Sequence, residues 1–213
     1  GEKTFVSIGK NTEIREYVTI NSSSGEGTTV SVGDHCLLMA YCHVAHNSIV
    51  GNHVIMGNNS ALAGHVTIED FAFISGYTGI HQFVRIGCYA MIGGMSAIGQ
   101  DVLPYTIGRG NPFKLGGLNL VGLKRNKFPL ETRRELSKAF RILYASQLDL
   151  PDAVQKIREE VAQIPEVLHW LDFIQQSDRG LICMQGVKNF QGHFESLEDD
   201  EEQNTAEIAA ITT

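Results

Sequence analysis

The chain has 213 residues, a formal net charge of −7, and 43% hydrophobic against 19% charged residues. That length allows one sizeable core plus an appendage, and the acidity argues against general nucleic-acid binding. No apolar run reaches the ~18 residues of a spanning helix and no secretory leader is recognisable, so neither membrane insertion nor export is expected. Cys36, Cys42, Cys88 and Cys183 lack CxxC spacing and the density of a disulfide scaffold, which fits free thiols in a reducing, cytoplasmic setting.

In chain order, residues 1–107 carry a period of six. Steps of six from Val32 give Leu38, Val44, Val50, Met56, Leu62, Ile68, Ile74, Ile80, Ile86, Ile92 and Ile98, all apolar. Backwards the register runs through Ile20, Ile14 and Ile8, with Glu26 as its one break. Four residues after each aliphatic stands a small or slender one, from Cys36 and Cys42 through Ser48, Ser60 and Ala72 to Val102. This predicts a parallel β-helix with one large and one small inward residue per hexad and polar or glycine corners. Three hexads close a triangular coil, so residues eighteen apart stack at about one strand spacing, ~4.8 Å. The pattern is already running at Gly1, so further coils are expected upstream.

After residue 107 the period stops. Residues 108–128 read as a Gly-rich connector. Residues 129–147, 149–164 and 165–176 read as amphipathic helices, the first with proline near its first turn. They form a small α-helical domain over 129–183. Residues 184–213 turn polar, then acidic at EDDEEQ, and are expected to be disordered.

The eighteen-residue coil sorts the histidines. His46 stacks under Gly64 and then Gln82; the next column reads Asn47, His65, Phe83, and the preceding one Ala45, Ala63, His81. His43 heads a column on the adjoining face, followed by Ala61 and Gly79. His43, His46, His65, His81 and Gln82 should therefore converge on one edge across three coils, while His35 and His53 stack elsewhere and His169 and His193 lie beyond. A polar corner residue on such a prism is usually only solvated. Four imidazoles on one edge leave three chemistries open: a zinc site, which needs three converging rings; a general base; and anion or sugar binding. Nucleophilic catalysis is poorly served, because Cys42 and Ser48 fall at inward positions.

Repeats of this kind resemble the left-handed β-helix of hexapeptide-repeat acyltransferases, and that resemblance supplies the handedness and an expectation of homotrimers. More specific are IREYVTI, HVAHNSIVGN, LAGHVTIEDFA, GIHQFVRIG and GNPFKLGGLNLVGLKR, the last lying outside the repeat. Together they resemble the acyl-carrier-protein–UDP-N-acetylglucosamine O-acyltransferases, which carry out the first committed step of lipid A synthesis. The resemblance covers residues 1–181 and lacks several of the family's N-terminal coils. It implies that His46 is a general base and that the Gly64 N–H is an oxyanion donor. It also implies that His43, His65, His81 and Gln82 bind the sugar nucleotide or the acyl-phosphopantetheine arm. Asn119 and Arg125 would face the nucleotide, and Gly94 would leave the acyl groove open for a longer chain.

The implied substrates are acyl-carrier protein, bearing its phosphopantetheine thioester, and UDP-N-acetylglucosamine, with no metal or other cofactor. Nine of the 17 Lys and Arg residues lie between 109 and 141, either a strip that steers an acidic carrier or an ordinary solvated face. Asn47 stands where many members carry Asp, Asn21 where some carry His, and Val121 and Asn126 where others are polar or basic. Within related chemistry the alternative is the UDP-3-O-acylglucosamine N-acyltransferase. From other classes come a trimeric zinc carbonic anhydrase-like β-helix and a non-catalytic scaffold. The carbonic anhydrase ligands are separated by four residues, whereas two separate His43 from His46.

Overall fold

A computed structural model describes residues 1–182; the expected disordered tail, with Cys183 and His193, lies outside the described residues. Most strands are only two residues long, because a corner follows every hexad. Three parallel faces result. The first stacks Phe5–Ile8, Thr29–Val32, Ile49–Val50, Thr67–Ile68 and Arg85–Ile86. The second stacks Glu13–Ile14, Leu37–Leu38, Ile55–Met56, Phe73–Ile74 and Met91–Ile92, and continues into Thr106–Arg109 and Lys114–Leu118. The third stacks Thr19–Ile20, His43–Val44, Ala61–Leu62, Gly79–Ile80 and Ala97–Ile98. From Ser31 to Ile98 the register pairs residues eighteen apart, as in Ile49 with Thr67 and Ile55 with Phe73, and in the last coil the spacing shortens, Met91 pairing with Ile107.

The two inward sets meet in the prism's interior. The aliphatics from Val32 to Ile98 and the small residues from Cys36 to Val102 are all at most 3% exposed. Each large side chain so buried contributes about 1.5–3 kcal/mol. Several buried hydroxyls and thiols find carbonyls, as where Ser60 Oγ donates to Gly57 O at 2.7 Å and Cys42 Sγ to the same oxygen at 3.1 Å, whereas Thr78 Oγ1 has no partner among the described residues. Most corners place one residue at positive φ, among them Tyr41, Asn47, His53, His65, Phe71, Phe83 and Tyr89. Such a conformation is costly for a residue with a Cβ, and its regular recurrence turns the chain into a left-handed parallel β-helix. Corner side chains eighteen apart then stack: His53 on Phe71 at 4.5 Å between centroids, and Phe71 on Tyr89 at 4.7 Å.

A polar ladder ties successive coils where the first face turns to the second. The Asp34 N–H donates to Asn52 Oδ1 at 2.9 Å, and the Asn52 N–H to Asp70 Oδ1 at 2.7 Å. A Cβ on Gly51 would lie 2.3 Å from Asp70 Oδ1, so glycine before the ladder residue gives the carboxylate room to reach the coil below.

Two regions depart from the simple reading. In the first coil Phe5 pairs with Thr29 and Thr19 with His43, six residues beyond the usual spacing. The extra hexad is a loop over residues 21–28, which is why Glu26 breaks the hydrophobic register. The expected connector at 108–128 is also largely regular. Lys114–Leu118 runs antiparallel to Thr106–Arg109 with a bulge, extending the second face, and α1 follows at Leu120–Arg125. Helices α2 (Leu130–Ala145), α3 (Leu150–Glu160) and α4 (Pro165–Gln175) then bury Leu136, Phe140, Ile157, Val167 and Trp170 between them. The Trp170 Nε1–H donates to Pro104 O at 2.8 Å, fastening α4 to the end of the β-helix.

Candidate active site

His46 sits where the third face turns to the first, directly after the strand His43–Val44. The backbone carries the column upward: the His65 N–H donates to His46 O at 3.0 Å, and the Phe83 N–H to Gly64 O at 3.2 Å. The exposed His46 ring lies over buried Gly64. A Cβ on Gly64 would meet His46 Cε1 at 2.4 Å and Nε2 at 2.6 Å, so the ring occupies space that any other residue would fill. Among the described residues no acceptor takes the Gly64 N–H.

The protonation pattern of His46 follows from its neighbour. The Ser24 N–H donates to Asn47 Oδ1 at 3.1 Å and Asn47 Nδ2 donates to Ser24 O at 2.9 Å. These two bonds fix which end of the amide is oxygen. His46 Nδ1 lies 2.9 Å from that oxygen and is therefore the donor. In the neutral ring Nε2 is then left with a lone pair, beside Gly64. An imidazole held in this tautomer is arranged to accept a proton at Nε2.

The other edge residues gather around it. His65 meets His46 edge-on at 5.2 Å between centroids and stacks on Phe83 at 4.6 Å. His81 Nδ1 donates to Gln82 O at 3.1 Å, leaving its own Nε2 as an acceptor. Gln82 is exposed at the same turn two coils above His46. On the adjoining third face, His43 Nδ1 lies 2.7 Å from Thr19 Oγ1. His43 and His81 line a shallow, mostly apolar groove of about 660 Å³ with Ala45, Ala61 and Ala63.

Asn119, Arg125 and Gly94 are not brought to this edge. Asn119 caps α1, its Oδ1 accepting from the Gly122 N–H at 3.0 Å while its Nδ2 donates to Tyr89 O at 3.0 Å. With exposed Arg125 it lines a separate cleft of about 590 Å³ over the second face, walled by His53, Phe71 and Tyr89. Gly94 lies at the turn from the second face to the third, where a Cβ would come 3.3 Å from Gly76 O. The basic strip is also thinner than the sequence suggests: Arg133 is buried at 8% exposure and Lys138 donates to Glu160 O.

Residues 101–182 match the family described as UDP N-acetylglucosamine O-acyltransferase, domain 2, and residues 29–64 match the bacterial transferase hexapeptide repeat. The chain is 54% identical over 182 residues to the acyl-carrier-protein–UDP-N-acetylglucosamine O-acyltransferase of Chlamydia caviae, covering 85% of this chain and 65% of that protein. It is likewise 54% identical to the protein of that name from Thermodesulfovibrio yellowstonii, with 85% of this chain and 70% of that protein covered. This chain belongs to the UDP-N-acetylglucosamine O-acyltransferase family. A crystal structure of a UDP-N-acetylglucosamine acyltransferase from Bacteroides fragilis superposes with a TM-score of 0.83 at 41% identity, over 85% of this chain and 71% of that one. The chain spans 65% of the length of the Chlamydia caviae relative.

Within this O-acyltransferase fold, the element the sequence reading missed is the loop over residues 21–28. It leaves the prism at the same turn as His46, and Asn47 clamps it there. Its trace in the sequence was the fault at Glu26 within a Ser- and Gly-rich run. The zinc reading fares poorly on geometry, since this edge does not bring three ligand atoms within 4.8 Å of one another among the described residues.

Proposed function

We propose that the chain is an acyltransferase moving a (3-hydroxy)acyl group from the phosphopantetheine thioester of acyl-carrier protein to the glucosamine 3-hydroxyl of UDP-N-acetylglucosamine. This is the first step of lipid A biosynthesis, here in a bacterial cytoplasm. The observation that carries the reading is His46, held with its proton on Nδ1 and its Nε2 open over Gly64, in a member of this family. Nε2 takes the 3-hydroxyl proton as that oxygen attacks the thioester carbonyl. The C–O bond forms, the carbonyl oxygen gains the negative charge, and the Gly64 N–H stabilises it. A preorganised donor of this kind is worth roughly 3 kcal/mol of barrier. Collapse breaks the C–S bond, and the imidazolium returns its proton to the departing thiolate. No acyl-enzyme forms, and the scheme calls on no metal and no cofactor beyond the donor's own arm.

The working form is a homotrimer. Two observations support it: Arg125 and Gly94 stand away from His46 within one chain, and Tyr17, Tyr41, Tyr77 and Met95 expose 56–75% of their surface along one edge. A neighbouring copy covers that edge and supplies Asn119 and Arg125 for the nucleotide, while Gly94 leaves room for a longer acyl chain. His43, His65, His81 and Gln82 hold the sugar and the pantetheine arm. The exposed remainder of the basic strip receives the acidic carrier.

The test is transfer of labelled acyl groups from acyl-carrier protein in chelator-treated buffer, with product analysis. A base-labile ester on the 3-hydroxyl is expected. An amide formed on a 3-O-acylglucosamine acceptor, or no transfer to either acceptor, would overturn the reading.

A further inference from the structure

Far from His46, where the first face turns to the second, a mixed set of donors meets beneath α4. Glu69 follows the strand Thr67–Ile68, Cys88 stands one coil higher just past Arg85–Ile86, and His169 comes down from α4. Glu69 Oε2 lies 2.8 Å from His169 Nε2 and accepts from the Cys88 N–H at 2.9 Å. One carboxylate oxygen, the Cys88 thiol sulfur and one His169 nitrogen all lie within 4.8 Å of one another. The carboxylate is held from its other side by Arg85, whose guanidinium reaches Oε1 at 3.4 Å and packs on the Phe173 ring at 4.2 Å. Glu69, Cys88 and His169 all line a cavity of about 530 Å³ that also touches Gly51, Thr67 and Tyr105.

We propose that Glu69, Cys88 and His169 form a zinc site that clips α4 to two successive coils of the β-helix. Thiolate, imidazole and carboxylate together suit a borderline-soft divalent ion rather than magnesium or calcium. Ligands sharing a tetrahedral zinc stand about 3.3–3.6 Å apart, given metal–ligand lengths of ~2.0–2.3 Å. The Glu69–His169 pair therefore opens by about half an ångström, and Cys88 Sγ closes in by a side-chain rotation. The thiol proton of Cys88 and the proton shared by His169 and Glu69 leave as the ion enters. Two anionic ligands then balance the dication, and the cavity admits water to the fourth position.

The site is independent of the acyl-transfer chemistry, and so is its test. The full chain, stripped with a chelator, is titrated with zinc and separately with cobalt(II). One equivalent of zinc per chain is expected, with a rise in melting temperature and a thiolate-to-cobalt charge-transfer band in the near ultraviolet. Cys88→Ala and His169→Gln should abolish the band and the zinc-induced rise, whereas His43→Ala should retain both. A cobalt complex of the wild-type chain without a thiolate band, or stoichiometric zinc that survives Cys88→Ala, would overturn the proposal. The wild-type spectrum decides even if a variant fails to fold.

Discussion

Asn47 does two things at once: it orients His46 and it holds the loop over residues 21–28. Replacing it with Asp separates the two. The carboxylate still accepts from His46 Nδ1 and from the Ser24 N–H, but the Asn47 Nδ2 bond to Ser24 O becomes an oxygen–oxygen contact. Losing one such bond costs the loop about 1 kcal/mol, with some added repulsion. Exchange of the Ser24 amide should accelerate roughly five- to tenfold, the equivalent of ~1–1.4 kcal/mol. Meanwhile a unit charge arrives beside the imidazole. At ~4 Å it is worth ~1 kcal/mol in water and ~4 kcal/mol at an effective dielectric of 20. His46 is exposed and Asn47 half-buried, so the lower part of that range applies, about 1–2 kcal/mol. The carboxylate favours the imidazolium, so the acid limb of the pH–rate profile moves up by about one pH unit. The assays are kcat/KM for acyl transfer against pH and hydrogen exchange read at Ser24. An acid limb that does not move, or loop exchange that slows, would refute the assignment of Asn47 as the shared acceptor.

Gly64→Ala drives a methyl into the His46 ring, 2.4 Å from Cε1; transfer should fall at least ~100-fold, while overpacking costs the fold only about 1–3 kcal/mol in denaturant titration. Chains carrying His46→Ala and chains carrying Arg125→Ala, each inactive alone, should recover part of the activity when unfolded and reassembled together, because some interfaces then pair intact halves; no recovery would contradict a site shared between copies. In chelator, the Cys88 thiol and the Glu69 carboxylate push His169 up to about 10 from an ordinary 6.5. A folded-state value above the unfolded one stabilises fully below about pH 6.5 and is lost as pH rises toward 10. The stability gap between wild type and His169→Gln should therefore be widest near pH 6 and shrink through that window in chemical denaturation; a gap that widens with pH contradicts the pairing.

The β-helix was legible because its constraint is local and repeated. A prism with two inward positions per hexad cannot tolerate a long side chain at Cys42 or Ser60 or a polar one at Leu62, so the sequence displays the register openly. The same spacing puts His46 under Gly64, since vertical neighbours are fixed by the coil length. Handedness is different: it resides in the positive-φ corners at residues such as Asn47 and His65, which the hexad pattern does not encode. The loop over residues 21–28 hid because an insertion one hexad long leaves the downstream register in phase. The hairpin Thr106–Arg109 with Lys114–Leu118 hid behind glycines that weaken strand patterning. That Asn119 also caps α1 and donates to Tyr89 O was not legible, because it depends on where α1 packs. The cluster of Glu69, Cys88 and His169 depends on where α4 docks, a contact between residues 100 apart with no periodic signal behind it.

Removal of the acceptor's proton by His46 Nε2 is the step on which the proposed chemistry turns. It is tested most directly by single-turnover acyl transfer from acyl-carrier protein to UDP-N-acetylglucosamine, comparing wild type, His46→Ala and His46→Gln. Each is first checked for an unchanged oligomeric state and melting temperature. Both variants should bind the acceptor but transfer at least ~100-fold more slowly, since neither offers a basic nitrogen at that position. Transfer within a few-fold of wild type in either intact variant would contradict the account.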